Sequence, residues 1–412
     1  GIREVARSDE RPEAVIDATS SVLAATANLL RQVRGLRLVN VAEFVRTYAD
    51  FGPENLRQKI QDQPDVTSSE ASEKKANIKE VYEQLGIQDA WSETRGENAI
   101  YCVFDTGFAE GLVAPGRIRN TFHSGKTDSV LDSAEGHGTM CLGAAAANSD
   151  ENPPFSGVAP DAEVILVRIT DSEGQIRSDI ISEAWDWLAD LNTNKPIVAN
   201  HSYGTPLCTG RPRTKFCDTA INDVIQRIAS DSNITPVYAA GNEAMQCGHR
   251  PSGLTNAITG TNSMSDVITV GALLSNGREA QRYSSHGRGD CAPVADPKPN
   301  VSCRLPKITY YGDADGWKLK DMSTGPFGSS GGTSHASPTT AGIITLMQSK
   351  AVGENGNGEA LQTEEIKQII QRTAKLPHRT QISAFGFIFS EKGYDARFGH
   401  GEVRVNEALS EV

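Results

Sequence analysis

Residues 99–107 read AIYCVFDTG, six mostly apolar residues followed by an aspartate, a threonine and a glycine. Apolar residues on consecutive positions are typical of a strand that is covered on both faces, as in a parallel sheet between two layers of helices. Helical patterns separate this run from similar ones at 164–167, 197–199, 236–240 and 267–270. The alternation predicts an α/β domain with a doubly wound, mainly parallel sheet sandwiched by helices.

The chain is expected to divide near residue 76. Residues 67–75 consist of Ser, Glu, Thr, Lys and Ala with almost no apolar content, which is typical of a linker. We therefore predict a small N-terminal α/β or helical module over 1–76 and a main domain over 77–412. In the module, apolar residues at steps of three and four predict an amphipathic helix over 13–33, and alternation around 36–48 predicts strands.

Composition excludes several classes of protein. The 412 residues carry a formal net charge of -12, with the basic residues scattered, so a nucleic-acid partner is not expected. No apolar run approaches the roughly 18 residues that a membrane-spanning helix needs. The chain begins at Gly1 rather than at Met, as a processed chain would.

Seven cysteines are too few for a disulfide scaffold, and their odd number leaves one thiol unpaired or bridging between chains. The compartment therefore stays open on cysteine usage alone. Cys102 and Cys141 lie in apolar stretches and are expected to be buried thiols. Two polar, turn-rich loops are each flanked by cysteines that a disulfide could join: Cys208 with Cys217, and Cys291 with Cys303.

Polar signatures stand at strand ends or helix starts, where active sites of open α/β sheets collect. Taken singly each is weak, because Asp-Thr-Gly after a strand is commonly a turn and a histidine at a helix start can be a cap. The four signatures are Asp105-Thr106-Gly107, Gly136-His137-Gly138-Thr139, Ala240-Gly241-Asn242 and the stretch GGTSHASP at 331–338, which is expected to enter a helix over 339–347.

In this order, Asp then His then Ser, the signatures resemble the subtilisin-like serine protease family (subtilases, peptidase S8), and the resemblance extends over roughly residues 80–410. It implies a serine endopeptidase that acts on polypeptides through an acyl-enzyme, with a triad of Asp105, His137 and Ser334. A serine hydroxyl is a poor nucleophile until an imidazole accepts its proton, and a carboxylate must orient that imidazole. Asn242 would donate a hydrogen bond to the oxyanion.

The resemblance also implies two segments that pair with an extended peptide and wall the pocket for the residue before the cut. They are Ser202, Tyr203 and Gly204, and Ala239, Ala240 and Gly241. Both are neutral and, apart from Tyr203, short-chained, so we expect a pocket that prefers apolar or aromatic side chains to Lys or Arg.

Calcium commonly braces domains of this family, and residues 148–152 lie where the family often has a calcium loop. The oxygen-rich side chains there suit a hard cation, with Asp150 as the expected ligand. The stretch after Asp105 lacks the aspartate that usually completes such a site and offers only Glu110. A solvated polar loop is the alternative.

The N-terminal module faintly resembles the inhibitory propeptide of secreted subtilases. On that interpretation the protein is a zymogen with its own module as an intramolecular inhibitor, and the linker near 67–76 is the self-cleavage region. A permanent accessory module is the alternative. The same resemblance favours a secreted or periplasmic protein, with the cytoplasm not excluded.

Two further functions are open on the sequence. A catalytically silent binding protein could be built on the same fold, although all triad positions hold the required residue types. An esterase is suggested by Gly328-Ser329-Ser330-Gly331-Gly332, a nucleophile-elbow pattern followed by Asp395 and His400, but residues 323–327 make a poor preceding strand. His335 is a departure from the family, whose best-known members carry Met there, and puts a titratable ring beside Ser334.

Overall fold

The structure, a computed structural model, describes residues 13–14, 37–38, 46–47 and most of 78–412. The ranges after residue 78 that lie outside the described part are 79, 126–128, 132–135, 149–155, 205–216, 218, 232, 245–257, 288, 290, 292–295, 297, 314–315, 322–330, 354–355 and 377–392.

Seven parallel strands form one central sheet, which confirms the predicted α/β fold. Its strands are β4 (Ile100–Asp105), β5 (Ile118–Phe122), β6 (Glu163–Arg168), β7 (Ile197–His201), β9 (Ile234–Ala239), β10 (Ile268–Leu273) and β11 (Val301–Arg304). The spatial order is β11-β10-β9-β7-β4-β6-β5. From β4 the chain first forms β5 and β6 on one side and then β7, β9, β10 and β11 on the other. The carboxyl end of β4 is therefore the switch point, where open sheets bind ligands.

Within the described part of the chain, six further strands lie outside this sheet: β1 (Glu13–Ala14), β2 (Arg37–Leu38), β3 (Arg46–Thr47), β8 (Tyr203–Gly204), β12 (Ile308–Asp313) and β13 (Gly316–Asp321). The first two pair in parallel, β3 pairs antiparallel with β8, and β12 and β13 form a hairpin. Strands β2 and β3 fall where alternation predicted them.

Helices cover both faces of the sheet. Those with both ends among the described residues include α1 (Ile87–Ala90), α2 (Gly136–Ala146), α3 (Ser178–Ala189), α4 (Ala220–Asp231), α5 (Thr333–Val352), α6 (Thr363–Thr373) and α7 (Val405–Leu409), with 3-10 turns at Pro115–Arg117 and Gly260–Ser263. Alternate residues of β4 point to opposite layers: Tyr101 and Val103 pack in the core with α2 and α5, and Phe104 packs on Trp185 of α3. Period-2 alternation thus produces the sandwich.

Small residues in α2 allow the β12–β13 hairpin to lie directly on it. A Cβ added at Gly136 would come within 2.1 Å of the Tyr311 ring, and one at Gly143 within 2.3 Å of the Tyr310 ring. Such distances are far inside van der Waals contact, so side chains at these positions would push the hairpin away. The helix that carries His137 is therefore held between α5, β4 and the hairpin.

The predicted pairing of the cysteines is wrong where the structure describes it. Cys217 bonds to Cys291, across 74 residues, instead of closing its own loop with Cys208. Cys303 cannot close the second loop because it lies on β11 as a free thiol buried in the core. Pairing depends on distance in space, which the sequence does not give. Cys102 and Cys141 are buried free thiols, as predicted.

The N-terminal module is described only at its three short strands. Because residues 13 and 14 belong to β1, the amphipathic helix predicted from residue 13 does not begin there. The rest of that helix, 15–33, and the linker at 67–76 lie outside the described residues. Among the described residues no helix combines the length and the apolar character required to cross a membrane.

Candidate active site

Asp105 and His137 form a buried hydrogen-bonded pair at the centre of the sheet. Asp105 is the last residue of β4, and its Oδ1 lies 2.7 Å from Nδ1 of His137 in the first turn of α2. The same oxygen accepts a bond of 2.8 Å from the backbone N–H of Thr106. With the Thr106 hydroxyl at 3.3 Å, three donors fix the carboxylate, and the carboxylate fixes the orientation of the imidazole.

The glycine after His137 explains how α2 comes so close to this turn. A Cβ at Gly138 would lie 2.1 Å from the backbone oxygen of Gly107 and 3.2 Å from the Cβ of Asp105. Only a glycine therefore fits where the start of the helix meets the residues after the strand. The two sequence signatures, Asp-Thr-Gly and Gly-His-Gly, therefore pack directly against each other.

The environment of His137 sets its protonation. Burial disfavours the imidazolium, but the charge of Asp105 and the hydrogen bond to it outweigh burial, so the pKa of His137 lies well above its usual 6.5. Its Nε2 has no hydrogen-bond partner among the described residues. This nitrogen is the one that a base would use, because Nδ1 is engaged by Asp105.

Ser334 is the second residue of α5, and its side chain points to the strand end at Ser202. The Ser334 hydroxyl donates to the backbone oxygen of Ser202 at 3.2 Å, and the Ser202 hydroxyl donates to the backbone oxygen of Ser334 at 3.0 Å. Within the described residues Ser334 makes no hydrogen bond to His137. The two residues nevertheless lie near each other, because both contact Cys141. Its Sγ lies 4.0 Å from Nδ1 of His137 and 3.3 Å from the backbone oxygen of Ser334.

Helix α5 begins six residues earlier than predicted and contains Pro338 in its second turn. Proline has no N–H, so the carbonyl four residues before it, that of Ser334, lacks its usual helical donor. Cys141 and Ser202 supply donors to that carbonyl instead. The prediction took the proline as the helix entrance, and it missed that neighbouring side chains replace the lost bond.

Asn242 lies beside Ser334, as an oxyanion donor would. Its Oδ1 accepts bonds of 3.0 Å from both the backbone N–H and the hydroxyl of Thr333, so the side-chain NH2 must point the other way. Nδ2 would come within 2.7 Å of a Cβ at Gly332, whose φ of 68° favours glycine. At the start of α5 the N–H of Thr333 donates to Asn242, and those of His335 and Ala336 donate to the Gly332 oxygen. The backbone N–H of Ser334 is thus left without a partner among the described residues.

The two predicted substrate segments lie side by side, and the side-chain amide of Asn262 donates a hydrogen bond to each of them. Nδ2 of Asn262 donates to the backbone oxygens of Tyr203 and Ala239, at 2.9 and 2.8 Å. Gly241, in the second segment, donates its N–H to the Thr333 hydroxyl at 3.1 Å. Sequence reasoning missed Asn262, since an asparagine in a Thr-Asn-Ser turn carries no distinctive signal.

Tyr203 does not wall a pocket with its ring. The side chain is buried, and its hydroxyl meets Nδ1 of His201 at 2.7 Å. His201 stacks between Trp185 and Tyr238, and burial holds its pKa well below 6.5. The buried side chain thus fixes the position of the Tyr203 backbone. The part of the segment that takes part in strand pairing is this backbone, which pairs with β3.

Two further titratable groups lie near Ser334 and Asn242. His335 is buried within α5, where burial lowers its pKa to about 4, so it is a neutral packing residue and not the titrating ring expected beside Ser334. Glu243 follows Asn242 and was not singled out from the sequence. Burial raises its pKa to about 7, and its Oε2 accepts a bond from the Ser285 hydroxyl at 3.0 Å.

Asp150, the predicted calcium ligand, lies outside the described residues. The neighbouring Asn148 does not fit a cation, because its Oδ1 accepts from the Ala114 N–H at 2.8 Å and from Nη1 of Arg117 at 3.0 Å. Arg117 also donates to the backbone oxygens of Ala146 and Ala162. A guanidinium whose pKa burial lowers to about 10 thus already supplies positive charge there.

The alternative elbow serine, Ser330, also lies outside the described residues. Its proposed partners have other contacts: Asp395 pairs with Arg397, and the His400 ring packs edge-on against Tyr394.

The subtilase family model matches residues 96–401, a range that includes Asp105, His137, Asn242 and Ser334. The chain belongs to the subtilase family. At the level of that family it is a serine-type peptidase, and subtilases commonly bind structural calcium.

Three curated relatives are similar to this subtilase. Fervidolysin of Fervidobacterium pennivorans is 26% identical over 346 residues, covering 79% of this chain and 43% of fervidolysin. The major intracellular serine protease of Bacillus subtilis is 25% identical, covering 73% of this chain and 84% of the relative. An extracellular protease of Xanthomonas campestris is 27% identical, covering 71% and 50%. The match thus spans half or less of two of these proteins.

Proposed function

We propose that this subtilase is a serine endopeptidase that cuts polypeptides with Asp105, His137 and Ser334, with Asn242 as oxyanion donor. The observation that carries the proposal is the buried 2.7 Å bond between Asp105 and His137, with Ser334 at the start of a helix beside it. A carboxylate that holds one ring nitrogen leaves the other available as a base.

The reaction begins with a rotation of the Ser334 side chain from the Ser202 oxygen toward Nε2 of His137. As the hydroxyl oxygen attacks the peptide carbonyl carbon, His137 takes its proton, and Asp105 stabilises the imidazolium. The negative oxygen receives hydrogen bonds from the Asn242 side chain and from the backbone N–H of Ser334 at the start of α5. His137 then protonates the leaving amine, and water releases the acyl group by the reverse path.

Substrate binding follows from the two segments that Asn262 joins. Their backbones can pair with an extended peptide, as β3 already does with Tyr203–Gly204. The absence of acidic side chains from the two segments supports a preference for apolar or aromatic residues before the cut.

We propose further that the N-terminal module inhibits the site, which makes the chain a zymogen. Strand β3 occupies the edge that a substrate would use, and Ser334 has 0% of its surface exposed. A buried nucleophile cannot meet a polypeptide substrate until something moves. Self-inhibition of this kind suits a protease that is secreted or periplasmic, which is where we propose it acts.

The test is labelling with a fluorophosphonate, which reacts with activated serines. We expect the wild type and Ser330→Ala to be labelled on the peptide that contains Ser334, and Ser334→Ala to stay unlabelled. Labelling that persists in Ser334→Ala would support an esterase that uses Ser330. A wild type that takes no label and cuts no casein would identify a silent binding protein.

The pH dependence should report His137. Because only the neutral imidazole accepts a proton, and because its pKa is raised, activity should fall as the pH is lowered through a midpoint above 6.5. The measurement is kcat/KM against pH with an uncharged peptide. Glu243→Gln is the control, since Glu243 has a pKa of about 7. A midpoint that disappears in Glu243→Gln, or lies below 6.5, would contradict the assignment.

A further inference from the structure

The 3-10 turn Gly260–Ser263 sets the spacing of the two substrate segments. Asn262 in this turn is 1% exposed, and its side-chain amide donates to the backbone oxygens of Tyr203 and Ala239 at 2.9 and 2.8 Å. Because one amide makes both bonds, the distance between the segments depends on where the turn holds Asn262. The contacts that position the turn therefore also position the two backbones with which an extended peptide would pair.

The residue before Asn262 is connected to Cys217. The hydroxyl of Thr261 donates to Oδ1 of Asn222 at 2.6 Å, and Nδ2 of Asn222 donates to the backbone oxygen of Cys217 at 3.0 Å. Asn222 lies near the start of α4 and is 1% exposed. Both ends of this buried amide are thus engaged, so the position of Thr261 depends on that of Cys217.

The residue after Asn262 is connected to Cys291. The hydroxyl of Ser263 accepts from the backbone N–H of Cys291 at 3.0 Å and donates to the Gly260 oxygen at 2.7 Å. A Cβ added at Gly289 would lie 2.5 Å from the Cβ of Ser263, so the segment that leads to Cys291 packs directly on the turn. The turn is therefore supported on both sides of Asn262, and the disulfide joins the two supports across 74 residues.

We propose that the Cys217–Cys291 disulfide sets the affinity of this protease for extended peptides, so that substrate binding depends on the redox state of this bond. The inference rests on the proposed function and adds a control on its substrate segments. When the bond is reduced, the two supports are no longer joined, and the spacing of the segments is no longer fixed. The Thr269 hydroxyl still donates to the Asn262 carbonyl at 2.7 Å, so we expect the turn to loosen without unfolding.

The redox step needs a thiol reductant, and both cysteine residues are partly exposed to one. A dithiol supplies two electrons and two protons: the S–S bond breaks, two cysteine thiols form, and the dithiol closes to its own disulfide. Disulfides persist in oxidising compartments and are rare in the cytosol. The enzyme would thus reach its full affinity outside the cytosol, which agrees with the proposed secreted or periplasmic location.

The test is steady-state hydrolysis by the purified enzyme before and after treatment with dithiothreitol. We expect reduction to raise KM for an extended chromogenic peptide about tenfold, the scale of one good hydrogen bond. The kcat should stay within about twofold, because no described hydrogen bond joins the turn to His137 or Ser334. A single-residue ester, which is too short to pair with both segments, should keep its KM, and reoxidation should restore the KM of the peptide.

A double variant separates this bond from other thiols, since Cys208 and Cys247 lie outside the described residues. Cys217→Ser combined with Cys291→Ser should show the raised KM without reductant and no further rise with it. This result would assign the whole effect of dithiothreitol to the one disulfide.

A second variant tests the connection while the disulfide stays intact. Asn222→Ala removes the link from Cys217 to Thr261, and we expect it to raise KM for the peptide and to leave that of the ester unchanged. Asp223→Ala is the matched control at the next, exposed position of α4 and should behave as wild type.

The outcomes separate the inference from the proposed function. If Ser334 takes the fluorophosphonate label but reduction leaves the KM of the peptide unchanged, affects peptide and ester alike, or acts fully on the double variant, the inference is wrong and the protease stands. If Ser334 takes no label and no polypeptide is cut, the proposed function fails and the inference fails with it.

Discussion

Replacement of Ser334 by alanine is expected to lower kcat for a peptide substrate by about 10⁶-fold, a magnitude known from subtilisin itself. The hydroxyl is the group that forms the acyl-enzyme, and the neighbouring Cys141 thiol does not replace it, because that thiol lies on the Nδ1 side of His137 and burial raises its pKa to about 11. Since Ser334→Ala cannot process itself, each variant is first treated with bead-bound wild type, which is then removed. The measurement is steady-state hydrolysis of a chromogenic peptide.

Non-additivity is the sharper part of this prediction. Because the hydroxyl and the imidazole act as a unit, His137→Ala should cost about as much as Ser334→Ala, and the double variant hardly more than either. Cys102→Ser is the control, as a buried thiol on β4 with no contact to either group. Losses that multiply in the double variant would mean that the two residues act separately, contrary to the proposed base and nucleophile.

Replacement of Asn242 by leucine is expected to lower kcat by about 10²- to 10³-fold, again a magnitude that comes from subtilisin, while KM changes little. Thr333 holds Oδ1 of Asn242 through two bonds of 3.0 Å, so the amide is oriented before substrate arrives. A donor of this kind acts on the charge that develops in the transition state, and the ground-state carbonyl gains little from it. The measurement is kcat and KM for the processed variants.

Thr333→Val is the companion variant for Asn242. It removes one of the two bonds to Oδ1 and the acceptor of the Gly241 N–H, but it keeps the backbone bond that orients the amide, so its kcat should fall much less than that of Asn242→Leu. An unchanged kcat in Asn242→Leu would remove this side chain from the oxyanion site. A change in KM alone would assign it to substrate binding.

The sheet could be predicted because each strand carries its own signal. The run at 99–104 is apolar on successive positions. The observed β4 begins and ends one residue later than this run, so that Asp105 is its last residue. The residue types of the site could be predicted for a similar reason, since the four signatures are short and local. The family that they indicated was confirmed.

What could not be predicted depends on contacts between distant parts of the chain. The two bonds from Asn262 to Tyr203 and Ala239 join a 3-10 turn to strands β8 and β9, and no local pattern marks them. The pairing of Cys217 with Cys291 is decided by where two loops meet in space. The direction of the Ser334 hydroxyl is a rotamer, which sequence reasoning cannot supply.

Pro338 has a mechanical consequence for the nucleophile. An amino acid with an N–H at this position would donate a hydrogen bond to the Ser334 carbonyl, as in a regular helix, and that carbonyl would need no partner outside α5. With proline there, the Ser334 carbonyl accepts hydrogen bonds instead from Cys141 on α2 and from Ser202, which follows β7. The bond to Cys141 links α5, which carries Ser334, to α2, which carries His137. It therefore opposes movement of one helix relative to the other and helps to keep the base and the nucleophile at a constant separation.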